Sequence, residues 1–186
     1  MRFWIILILV GWSALAQARQ INGVDLPDTL TIDHNKLVLN GAGIRSKYFL
    51  DVYVAGLYLP AKIHNADQII KADEIQSIRL VITSSLITHR RLYESIEDGV
   101  RKSAGKDFSR YKPMLSQLEQ VLTFEVKSGD EFDFTFIPGE GTYFYRNGTL
   151  LRQLKDEQFK QVLFGIWLGK DPVQSSLKED LLAENS

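Results

Sequence analysis

The sequence predicts an α+β domain, one antiparallel sheet covered on one side by helices. Three observations carry this. The order of elements is strands, helices, strands, helices. Phe132, Phe134 and Phe136 alternate with Asp133 and Thr135, which gives one aromatic face and one wet face. Asn147-Gly148 stands between "TYFYR" and "TLLRQL". That dipeptide takes the positive φ angles of a type I′ turn, so its flanks form a hairpin and run antiparallel.

The chain begins with a three-part pattern. Arg2 supplies a charge, Phe3 to Val10 an apolar run extended through Gly11 and Trp12, and Ala16-Gln17-Ala18 a small-residue end. This is the pattern of a signal peptide cleaved after Ala18, residues 1–18, and it predicts export to the periplasm. The run is too short for an anchor, since a bilayer takes roughly 20 apolar residues. A single domain, residues 19–186, remains. No later segment is apolar enough to span a membrane, so the mature chain is expected to be soluble.

From residue 21 the chain reads as β. "INGVDLP" is a short strand with a turn. Lys36 to Asn40 alternates, and Gly41-Ala42-Gly43 interrupts it with a bend or bulge. "IRSKYFLDVYVAGLYLP" (44–60) is aromatic and β-branched, and reads as one strand closed by Pro60. "NADQIIKA" is a short helix capped by Asn65. Ile75 to Thr83 is a strand. Thr88 to Ala104 is a helix with Leu92, Ile96 and Val100 on its stripe, ended by Gly105. A second helix runs from about Ser109 to Leu122. Residues 123–127, 131–137 and 141–154 read as strands. Lys155 to Leu168 is amphipathic and helical, and Ser175 to Leu182 is a last short helix.

Composition excludes several chemistries. The absence of cysteine removes thiol catalysis and Cys-based metal sites. Without Arg2 the chain holds 21 basic and 23 acidic residues, a net charge of -2, and this overall balance gives no reason to bind nucleic acid or anionic lipid. His34, His64 and His89 have no partners at metal-ligand spacing, so neither a metal nor a cofactor is expected. There is no Gly-x-Ser-x-Gly motif. Glu94, Glu97 and Asp98 lie among Arg90, Arg91, Arg101 and Lys102, as on a solvated helix face.

Arg45 stands out. It follows the glycines and enters an aromatic strand, and a buried guanidinium needs an anionic or carbonyl partner. It is either an internal or exposed structural charge, or an anchor for a ligand carboxylate or ketone. Tyr48 and Tyr58 share a face of an unbroken strand, and Tyr53 points the other way. A tyrosine hydroxyl near Arg45 would complete an anion clamp.

Two stretches, "LNGAGIRSKYFLDVYVAGLYL" (39–59) and "FGIWLGKDPVQSSLKEDLL" (164–182), resemble the bacterial branch of the chalcone isomerase-like family. The resemblance implies an open-faced β-sandwich, a large antiparallel sheet under a helical layer with a ligand cleft between. Plant members close a chalcone to a flavanone, with an arginine that Arg45 matches. Tyr53 stands where those enzymes bear a threonine. Arg91 and Asp98 stand where they carry a tyrosine and an asparagine, and Ile166 where a late helix supplies a hydroxyl. Without neutral donors at the ketone the enolate loses stabilisation, often about 3 kcal/mol per donor, so chalcone isomerase activity is not expected. Another branch binds fatty acids without catalysis, an arginine and a tyrosine holding the carboxylate. The resemblance therefore implies a binding protein for a small amphipathic molecule such as a fatty acid, held by Arg45 with Tyr53 or Tyr58. The alternatives are an intramolecular lyase (isomerase) acting on another substrate and a partner-binding protein with a filled cleft.

Overall fold

A computed structural model of the protein describes residues 18–183. The expected signal segment lies outside the described residues except for Ala18, which opens the first strand. Strands β1 (Ala18–Ile21) and β2 (Val24–Pro27) form a separate hairpin. Seven further strands form one antiparallel meander in chain order: β3 (Thr29–Ile32), β4 (Asn35–Lys47), β5 (Leu50–Leu59), β6 (Gln76–Ile82), β7 (Glu131–Ile137), β8 (Gly141–Arg146) and β9 (Thr149–Leu154). Five helices complete the fold: α1 (Ala66–Lys71), α2 (His89–Ala104), α3 (Phe108–Val121), α4 (Glu157–Leu168) and α5 (Ser175–Leu182). This is the predicted α+β open-faced sandwich. No helix among the described residues is long and apolar enough to cross a membrane.

The period-two pattern sorts side chains between two layers. Ala55, Leu57, Ile78, Leu80, Phe132, Phe134 and Phe144 meet the helices in the larger core. On the other face Val54, Tyr58 and Val81 meet Leu26 of the β1–β2 hairpin in a smaller one. Beyond that hairpin this face is polar. Arg79 donates to both oxygens of Asp133 at 2.7 and 2.9 Å, and Ser77 meets Thr135 at 2.9 Å.

The helix caps follow the sequence. Asn65, Thr88 and Asp156 accept from the backbone N–H groups of Gln68, Arg91 and Phe159. This satisfies donors that a helix start leaves open. The turn at Asn147-Gly148 has φ of 48° and 75°, as the hairpin requires.

Two expectations are corrected and a third is refined. Residues 44–60 are not one strand but the facing halves of the β4–β5 hairpin, turning at Tyr48-Phe49. Residues 123–127 form no strand. The Glu125 carbonyl instead accepts from Arg146, whose guanidinium lies 3.9 Å from the Phe124 ring. The expected bulge is present beside Gly41, and β4 runs on through it. The register slips at Asn40, and the amide thus freed is buried against Ile63 and Leu181.

The glycines let α5 lie against β4. A Cβ at Gly41 would stand 2.2 Å from the Asp180 carbonyl oxygen, and one at Gly43 2.6 Å from the Asp180 Cβ. Backbone cannot rotate away as a side chain can. Gly41→Ala is therefore expected to destabilise the fold by on the order of 3 kcal/mol, read by urea denaturation. An unchanged midpoint would show that α5 is free to slide.

Candidate functional site

The β4–β5 hairpin builds the site. Its register sets Arg45 directly opposite Tyr53, which places their Cβ atoms about 5 Å apart on one face. That face is the helical side, the side of Gly41 and Gly43. Register slips again between Arg45 and Ser46, leaving Val52 unpaired in β5. Such a bulge turns consecutive side chains toward one side, and both Val52 and Tyr53 reach the same cavity.

This cavity has a volume of about 410 Å³. Its walls come from the hairpin (Arg45, Tyr48, Tyr53), the loop before α2 (Leu86, Ile87) and the exposed side of α2 (Arg91, Glu94, Asp98). Lys47 joins them, so three cations and two carboxylates line it, leaving one positive charge uncompensated.

Arg45 is half-buried and has no carboxylate partner among the described residues. Its Nη1 donates to the Ser46 carbonyl and to Gln174 Oε1, the latter at 3.0 Å. Gln174 also accepts from the Ser46 N–H and donates to the Ile44 carbonyl. The residue before α5 therefore fixes the arginine stem, and among the described residues nothing takes Nη2 or Nε. These two N–H edges form the fork that matches a carboxylate.

Tyr53 is the second polar group. Its hydroxyl accepts from Trp167 Nε1 at 3.0 Å, and its own hydrogen has no acceptor among the described residues. Burial pushes the phenol up to about 12, against the opposing pull of the Trp167 hydrogen bond and the Arg45 charge. At neutral pH it is a donor and not a base.

Trp167 stands behind Tyr53 and is not itself among the residues that line the cavity. Its ring lies 5.6 Å from Phe134, which meets Phe144 edge-on at 5.2 Å. Beside Phe134 and Phe144 lies a small apolar void of about 10 Å³, too small for more than a single water.

Not every expected residue arrives here. Tyr58 does not line the cavity. It lies five residues from Tyr53 in the same strand, so it faces the other layer, where its hydroxyl donates to the Pro27 carbonyl at 3.0 Å. Burial raises its pKa further than that of Tyr53. Ile166 packs into the notch at Gly99, where a Cβ would meet it at 2.7 Å. Arg91 and Asp98 do face the cavity. All three acids on α2 reach its solvated side as expected: Glu94 and Asp98 are exposed and also line the cavity, and Glu97 pairs with Arg101 at 2.9 Å.

Trp167 and Gln174 were not singled out by sequence. Both lie in the second family-like stretch, and that is the signal that could have found them.

Comparison with known proteins agrees with this geometry. The crystal structure of an Arabidopsis thaliana fatty-acid binding protein superposes with a TM-score of 0.72 at 19% identity, over 87% of this chain and 93% of that one. At that identity the likeness establishes the fold. No curated protein sequence matches the chain. The family model described as chalcone isomerase-like matches residues 18–183. Sheet, helical layer and cavity together thus sit within one matched segment, and the chain belongs to the chalcone isomerase-like family.

Proposed function

We propose that the protein is an exported, non-catalytic binder of a small amphipathic monoanion, a fatty-acid-like carboxylic acid, with its head on Arg45 and Tyr53. The observation that carries this is the unpaired face of Arg45 opposite a protonated tyrosine in a cavity with one excess positive charge. A carboxylate there accepts from the guanidinium fork and from the phenol. A dianion meets Glu94 and Asp98, and a neutral molecule leaves the charge uncompensated.

The fatty-acid binding protein of the same fold supports this ligand class. The cavity volume falls in the range of small-molecule sites. At this volume the ligand is short, or leaves its tail along Tyr48, Leu50 and Leu86. Ring closure of a ketone substrate is disfavoured at this site, because Arg91 and Asp98 carry charge where neutral donors are needed. Export to the periplasm, as in a bacterial branch of the family, rests on the three-part N-terminus and the absence of cysteine.

The test uses Trp167. Trp4 and Trp12 belong to the segment expected to be removed, which leaves Trp167 as the one indole of the processed chain. Titration with straight-chain acids is expected to change its fluorescence saturably, and native mass spectrometry of gently purified protein to show a bound acid. A chain that recovers empty and responds to no acid of any length overturns the reading.

A further inference from the structure

The described residues expose five large apolar side chains strongly: Tyr48 (83%), Phe49 (106%), Leu50 (50%), Leu86 (51%) and Leu150. Four of the five meet at one place. Tyr48, Leu50 and Leu86 rim the cavity, and Phe49 stands beside them at the tip of the β4–β5 turn, outside the cavity. Single exposed apolar residues are ordinary, but a contiguous group at the mouth of a cavity is not.

The turn is costly for these residues. Tyr48 and Phe49 have φ of 51° and 64°, the left-handed region that hairpins of this kind fill with Asn and Gly. A bulky side chain there loses roughly 1–2 kcal/mol per residue. Neither ring recovers that by burial, since both point into solvent. Local folding physics therefore does not account for aromatic residues at this tip.

The surroundings indicate what covers it. Phe49 at the tip is fully exposed, as a ring that projects from its surroundings is, which suits a soft layer better than a rigid partner. Lys47 carries its ammonium 5.5 Å from the Tyr48 ring. Arg91 donates to the Leu86 carbonyl at 2.8 Å, so a second cation stands against the apolar loop. The nearby Asp51 carboxylate is held by Ser46 and Asn22, and Glu94 and Asp98 lie on the α2 wall of the cavity, where Arg45, Lys47 and Arg91 outnumber them. Aromatic rings flanked by lysine and arginine are the chemistry of the bilayer interface, where rings enter the headgroup boundary and cations meet anionic lipid.

We propose that the Tyr48-Phe49 tip, with Leu50 and Leu86, docks the cavity mouth on an anionic lipid bilayer, the surface from which a membrane-dissolved acid enters. The route for the acid rests on the binding function proposed above, whereas the docking itself can be read without it.

The test is flotation with vesicles of phosphatidylcholine alone and of phosphatidylcholine with phosphatidylglycerol. It compares the protein as recovered from the cell with Phe49→Gly and Leu150→Thr. Glycine is unstrained at a φ of 64°, so Phe49→Gly retains the fold. Any residual N-terminal segment is common to all three. Wild type and Leu150→Thr are expected to bind the anionic vesicles, and Phe49→Gly to bind on the order of tenfold more weakly, the loss of one inserted ring. Octanoic acid binding, followed in parallel without vesicles, is expected to be unchanged by Phe49→Gly. Its failure in every variant would count against the ligand and not against docking. Absence of vesicle binding by wild type, or binding undiminished in Phe49→Gly, overturns the proposal. Self-association that depends on Phe49 in sedimentation, with no vesicle binding, also overturns it and assigns the tip to a contact between copies.

Discussion

Arg45→Ala is expected to weaken carboxylate binding by on the order of a hundredfold while leaving the fold intact. The size follows from two charge-assisted hydrogen bonds lost to an ionised ligand, together about 3 kcal/mol. The fold is spared because the backbone around Arg45 is held by another residue. Gln174 accepts from the Ser46 N–H and donates to the Ile44 carbonyl, with or without the guanidinium. Calorimetric titration with octanoic acid, beside thermal melts of both proteins, separates the two effects. Arg45→Lys is expected to recover part of the affinity, because an ammonium restores charge but not the fork. Tyr53→Phe is a poorer probe. It removes a ligand donor and also strands the buried Trp167 N–H, so affinity and stability fall together. If Arg45→Ala binds as tightly as wild type, the ligand does not sit on the guanidinium, and Lys47 or Arg91 becomes the anchor to test.

Whether Arg45 faces the cavity could not be read from residues 39–59 alone. Period-two reasoning applies only along one strand, and no Gly, Asn or Pro between Ser46 and Asp51 marks the place where the segment folds back. Asn147-Gly148 and the β8–β9 hairpin were legible because that dipeptide favours positive φ. Tyr48-Phe49 was not, because aromatic residues disfavour the angles they adopt. The missed turn has two consequences, one a correction and one a gain in precision. It removes Tyr48 from the strand, and it makes Arg45 the cross-strand partner of Tyr53. The separation of Tyr53 from Tyr58 survived, because both lie within β5 and their spacing is odd. The packing role of Gly41 and Gly43 was hidden for a different reason. Their need for space comes from α5, some 140 residues further along the chain, and only the tertiary contact reveals it. Helices α2 and α4 were legible because stripe and caps agreed at both ends.

Lys160→Met is expected to destabilise the protein by about 3–5 kcal/mol, although Lys160 lies far in sequence from every site residue except Trp167. Its side chain is 1% exposed, in the middle of α4. Nζ donates to the carbonyls of Ile69, Ile70 and Ala72 at 2.8, 2.9 and 2.8 Å, and the Phe136 and Phe164 rings lie 5.3 Å away. The lysine thus caps the C-terminal end of α1 from within the core, supplying donors that a six-residue helix cannot provide for its last turn. Methionine fills the volume but leaves three carbonyls facing a thioether. The pH dependence gives a second signature. Burial pushes this lysine down from 10.5 to about 8, opposed by the Asp73 and Glu74 charges. Between pH 8 and 10.5 the unfolded chain keeps a proton that the folded one has released, so this group's contribution to stability rises with pH across that window. Below pH 8 both states are protonated and the contribution is flat. The gap between wild type and Lys160→Met, read by urea denaturation, should therefore widen from pH 7 to pH 10. Burial of Tyr53 does not confuse the reading, since its phenol is present in both proteins. A gap that stays constant would mean that the three carbonyls hold the ammonium against desolvation, and that α4 carries a permanent charge in its core.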